Sequence, residues 1–105
     1  MAKQYYARDS VRVKIIEVEG KKLVGVEVSL PNSPPLIVLA GEKGFAMCGL
    51  LNISVVEKLR VAAVRVPGVS SLEELLDGRI ADATSTARSL GLTEGSRLRD
   101  VIHAL

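Results

Sequence analysis

The sequence predicts an α+β fold, a mainly antiparallel sheet built from the N-terminal strands with C-terminal helices packed on it. Three observations lead there. Residues 10–30 alternate with a period of two, residues 36–40 form an unbroken apolar run, and helix caps with helical spacing take over from Asn52 onward. At 105 residues the chain makes one domain, 1–105, because two cores of half that size would each be marginal. Within it, 1–30 reads as a β-hairpin region and 31–105 as the α+β core.

Residues 1–8 show no period, and Tyr5-Tyr6 offers an anchor for a neighbouring subunit. Val11, Val13 and Ile15 then alternate with Arg12 and Lys14, which predicts a strand with one apolar and one charged face. The alternation slips at Ile16 and Val18, as at a bulge or a strand caught between two surfaces. Glu19-Gly20-Lys21-Lys22 is a turn, and Leu23 to Leu30 returns with Val24, Val26, Val28 and Leu30 on one face.

Three prolines in Pro31-Asn32-Ser33-Pro34-Pro35 exclude a central strand there. Leu36 to Ala40 reads as a strand buried on both faces, Gly41 to Gly44 as a turn, and Phe45 to Leu51 as its antiparallel partner. Asn52 suits an N-cap, and the helix behind it runs to about Arg60 with Val55, Val56 and Leu59 on one stripe. Val61 to Val66 is a short strand stopped by Pro67-Gly68. Ser71 and Glu74 fit a capping box for a helix ending at Gly78. A further helix spans about Arg79 to Gly91, and a last one, about 96–104, buries Leu98, Val101, Ile102 and Leu105.

Composition narrows the function. The chain is 48% hydrophobic but only 3% aromatic, so the core is aliphatic and stacking platforms for bases or sugars are scarce. Lys and Arg number 14 against 12 Asp and Glu, dispersed along the chain, which argues against a nucleic-acid partner. A single Cys excludes an intrachain disulfide framework and an all-Cys zinc site, metal binding fails on ligand count, and no cofactor is expected. No signal peptide, bilayer-length apolar run or lipidation motif is present, which points to a cytoplasmic protein without a membrane partner. One Gln, two Asn and frequent Arg lean toward a hot-living source.

Asn32-Ser33-Pro34-Pro35-Leu36-Ile37-Val38, Lys43-Gly44-Phe45-Ala46-Met47-Cys48-Gly49 and Leu51-Asn52 resemble the YunC-like family of short bacterial and archaeal proteins. The resemblance continues through Gly68-Val69, Leu72-Glu73-Glu74-Leu75-Leu76, Ala87, Leu90-Gly91 and Gly95. It implies an N-terminal β region that forms a homotetramer, and it implies no reaction.

Two readings of the residues follow. In the first, apolarity on both sides of the hairpin makes Val13, Ile15, Ile16, Val18, Leu23 and Val24 a subunit interface, in a chain too short to bury both faces alone. In the second, a ligand pocket or thiol enzyme centres on Cys48, with Gly44, Phe45, Met47 and Gly49 lining it. Cys48, Asn52 and His103 have the residue types of a thiol hydrolase. Each also has a plain structural reading: Cys48 as a small core hydrophobe, Asn52 as a helix cap, His103 as a cation near a helix C-terminus. No substrate is indicated.

Overall fold

The computed structural model describes residues 10–105, so Tyr5-Tyr6 lies outside the described residues. Six strands form one sheet in sequence order, β1 (Val11–Val18), β2 (Lys21–Val28), β3 (Leu36–Ala40), β4 (Gly44–Met47), β5 (Ala62–Arg65) and β6 (Asp82–Ala83). Every neighbouring pair is antiparallel except β4 and β5, which are parallel and joined through α1 (Ile53–Lys58). The other helices are α2 (Leu72–Asp77), α3 (Ser85–Ser89) and α4 (Leu98–Val101), with a 3-10 turn over Ile102–Ala104.

The hairpin closes on Glu19-Gly20, with φ of 50° and 79°, the two-residue turn whose twist suits flanking strands. Its register is unbroken from Val11 opposite Val28 to Val18 opposite Lys21. The slip in hydrophobic pattern at Ile16 is therefore not a bulge. It marks a strand with apolar residues on both sides.

Cross-strand neighbours share a face, so the pairing sorts the sheet into two sides. The inner side carries Ile16, Val18, Leu23, Gly25, Glu27, Ile37, Leu39, Ala46 and Val64. It packs against Leu72, Leu75, Leu98 and Ile102 in the main core. The outer side carries Val11, Val13, Ile15, Val24, Val26, Val38, Phe45 and Met47. The side of β2 that reads as polar is thus the one facing the core.

Helix α2 explains this inversion. A Cβ on Gly25 would lie 2.6 Å from Leu72 Cδ1, so any larger residue there would force the Leu72 side chain off its seat on the strand. Glu27, 4% exposed, receives the Leu72 N–H at 2.7 Å and the Arg12 Nε–H at 2.8 Å. Burying Leu72, Leu75 and Leu76 then contributes about 1.5–3 kcal/mol per side chain relative to exposure.

Several boundaries differ from expectation. Strand β4 stops at Met47 because the Cys48 carbonyl accepts the Leu51 N–H, closing a turn. In α1 only Val56 is buried, and Val55 and Leu59 are exposed, since the helix is a single short crossover beside β5. The helix expected over 79–91 is replaced by β6 and α3. Ile80 and Ala81 donate to Ser96 and Arg65, and the edge of β5 is completed by Asp82-Ala83. Thr84 then caps α3: its Oγ1 accepts from the N–H groups of Ala63 (3.1 Å) and Ala87 (3.2 Å) and donates to the Val61 carbonyl (2.7 Å).

Candidate functional site

The residues singled out around Cys48 lie along β4 and divide between its two ends. Gly44 and Phe45 border an open groove of about 400 Å³ at the strand's start, together with Lys43, Arg60 and Thr86. The N–H groups of Lys43 and Gly44 are already taken there by the Leu105 carbonyl, at 2.6 and 3.3 Å. Cys48 and Gly49 line a smaller cavity of about 130 Å³ at the strand's finish. Met47 lies between, on the outer side of the sheet.

The smaller cavity has walls from three separated segments, residues 33–35, 48–50 and 68–69. The first is the proline connector, whose fixed φ angles make a stiff wall. The second is the turn that ends β4, and the third follows β5, where Gly68 takes φ of 76°. The cavity therefore sits at the carboxyl ends of the sheet's parallel pair. That is where open sheets with parallel strands leave room for ligands, because the chain diverges into connections there.

Cys48 is 4% exposed and its sulfur receives the Ile37 N–H at 3.5 Å. Asn52 Oδ1 accepts from the N–H groups of Ser54 (3.1 Å) and Val55 (3.4 Å), so its side-chain carbonyl is engaged in capping α1. His103 sits in the 3-10 turn, and the chain there leads to Leu105 against Lys43 and Gly44, at the opposite end of β4 from Cys48. Its carbonyl accepts from the Lys21 ammonium. At about 3.3 Å per residue, β4 alone spreads the two ends by more than 10 Å. The structure does not assemble Cys48, Asn52 and His103 into a triad.

Charge near the cavity comes from Arg65 on β5. Its Nη1 pairs with Asp82 at 2.8 Å and its Nε donates to the Gly49 carbonyl at 3.2 Å. Elsewhere the perturbed carboxylates are structural. Glu57 is held below the usual carboxylate range by the Ser85 hydroxyl and N–H, and Asp77 by the Arg99 guanidinium. Among the described residues no three His, Cys, Asp or Glu side chains gather as a metal site, and no helix is long and apolar enough to cross a membrane.

Sequence reasoning found the Cys48-Gly49 wall of the cavity and missed the other two. Ser33, Pro34 and Pro35 read as a connector and Gly68-Val69 as a strand stop. Neither has a local signal for lining a site.

The interface residues also separate. Val13 and Ile15 are 63% and 62% exposed and Val24 is 40% exposed, all on the outer side. Ile16 and Val18 are partly buried against the core, and Leu23 belongs to it.

A family of domains of unknown function, DUF1805, matches residues 47–105. An uncharacterised protein, YunC, from Bacillus subtilis is 31% identical over 96 residues, covering 88% of this chain and 94% of its own length. The chain belongs to the DUF1805 family. A crystal structure of a protein of unknown function from Thermoplasma acidophilum superimposes with a TM-score of 0.89 at 35% identity. The match covers 97% of this chain and 99% of the other. The DUF1805 match takes in both the Cys48 and the Gly68 walls of the cavity, whereas the hairpin and the proline connector precede it.

Proposed function

We propose that this DUF1805 chain is the building block of a cytoplasmic homotetramer, with the outer side of the N-terminal hairpin as the contact between copies. One observation supports this above the others. Val13, Ile15 and Val24 form an exposed apolar patch on paired strands, with Val11 at one end and the Glu17–Lys22 ion pair at the other, while Arg12 and Lys14 lie on the inner side. Charges that could have been spent on solubility at the surface are used instead for anchoring, Arg12 on Glu27 and Lys14 on Glu73. Contiguous apolar patches of this kind are uncommon on monomers. A second copy is the natural occupant, because a row of valine and isoleucine is complementary to itself across a two-fold axis.

The reading gives Val13, Ile15 and Val24 to the interface and returns Ile16, Val18 and Leu23 to the subunit's own core. Replacing Val13 and Ile15 with glutamate tests it by light scattering, with circular dichroism as a check on folding. A drop in particle mass with an unchanged spectrum is expected. An unchanged mass removes the hairpin from the interface.

A further inference from the structure

Four residues in the wall of the small cavity carry backbone N–H groups for which the described residues supply no acceptor: Gly49, Leu50, Gly68 and Val69. The turn explains two of them. When the Leu51 N–H closes onto the Cys48 carbonyl, the N–H groups of the two residues between have no partner inside the turn. Val69 is 7% exposed, and buried backbone donors are seldom left without a partner.

The rest of the wall is apolar, Pro34, Pro35, the Cys48 thiol and the Leu50 and Val69 side chains, apart from Ser33, whose hydroxyl donates to the Pro34 carbonyl at 2.9 Å. Behind it stands the guanidinium of the Arg65–Asp82 ion pair. Arg65 Nη2 is 3.7 Å from the point where a Cβ on Gly49 would lie, while Nη1 and Nε are engaged with Asp82 and the Gly49 carbonyl. A guest that satisfies all of this has an anionic oxygen head and a short hydrocarbon tail. Its size is bounded too, since an apolar cavity of about 150 Å³ holds a benzene, or six heavy atoms.

We propose that this cavity binds a short-chain aliphatic carboxylate, its oxygens taken by backbone N–H groups of the 48–50 and 68–69 segments and its tail held by Pro34, Pro35 and Val69. Cys48 serves as part of the apolar wall. The site is independent of the assembly, because no residue of the outer hairpin face lines it.

The test is titration of the whole chain with sodium butyrate, and in parallel with butyramide, at constant ionic strength, followed by amide 1H–15N NMR. Butyrate is expected to shift the Gly49, Leu50, Gly68 and Val69 amides saturably in the millimolar range, with butyramide several-fold weaker. Leu50 is 57% exposed at the rim, so Leu50→Trp covers the mouth without disturbing the core and should abolish the response. The Val13→Glu, Ile15→Glu variant should bind as the native chain does, whatever its particle mass. No saturable shift with butyrate overturns the proposal. Equal affinity for butyramide overturns the assignment of an anionic head, and an unchanged response in Leu50→Trp overturns the location.

Discussion

A hydrogen bond of 2.7 Å joins the buried Glu27 carboxylate to the N–H of Leu72, at the first turn of α2. An element near the start of the chain thereby supplies an acceptor to a helix that begins 45 residues later. Helix N-termini leave N–H groups without intrahelical partners, and a carboxylate suits both the donor and the local positive potential. Arg12 holds the same carboxylate from the solvent side, so the hairpin and α2 are fastened by one charged side chain.

That fastening predicts a pH dependence. The Arg12 hydrogen bond, then the Leu72 N–H, lower the ionisation range of Glu27, outweighing the opposing effect of burial. A carboxylate lowered in the folded state stabilises fully above its unfolded range, near pH 4.3, and loses that contribution as pH falls through and below it. Glu27→Gln should cost roughly 1.5–3 kcal/mol at neutral pH, the scale of a hydrogen bond to a charged group. Urea unfolding at pH 7 and at low pH should show the gap between the two proteins closing as acid is added. A gap that stays constant with pH would show that Glu27 acts through shape alone.

Thr84 makes a second test of long-range fastening. It is 1% exposed and ties β5 to α3 through three hydrogen bonds. Thr84→Val keeps the shape and strands the Ala63 and Ala87 N–H groups and the Val61 carbonyl, at about 1–3 kcal/mol for each buried group left unpaired. A loss below about 0.5 kcal/mol in denaturant unfolding, the scale of an inconsequential surface change, would mean that these groups find other partners.

Cys48 should behave as a wall rather than a nucleophile. A bulky thiol reagent is expected to label the native chain far more slowly than the denatured one, with a rate set by local opening. Equal rates in the two states would place the sulfur in reach of solvent.

The strands up to β3 were legible because alternation and proline placement act locally. Asn52 as a cap was legible for the same reason. The capping signal at Ser71 also held, with a variation: Ser71 Oγ receives the Glu74 N–H at 3.1 Å, but the Glu74 carboxylate receives the N–H of Ser70 at 3.2 Å. Which side of the hairpin faces inward was not legible. Gly25 and Glu27 look like a solvent face until α2 is present to need a gap and an acceptor. Residues 79–91 misled for a related reason, since helical spacing cannot reveal that β5 has an edge still to be paired. The cavity was half legible. The Met-Cys-Gly segment draws attention by composition, but its union with residues 33–35 and 68–69 is a product of strand order.

The unbroken register of β1 on β2, closed by Glu19-Gly20, constrains how this region can evolve. Inserting or deleting one residue in either strand would exchange the two sides of everything beyond it. Val13 and Ile15 would turn onto the helices, and Arg12 and Lys14 would turn outward. A one-residue change within either strand therefore needs a bulge to absorb it, which leaves substitution as the freer route to diversity in this hairpin. The two rows can vary separately, one answering to the fold of the subunit and the other to whatever meets its surface.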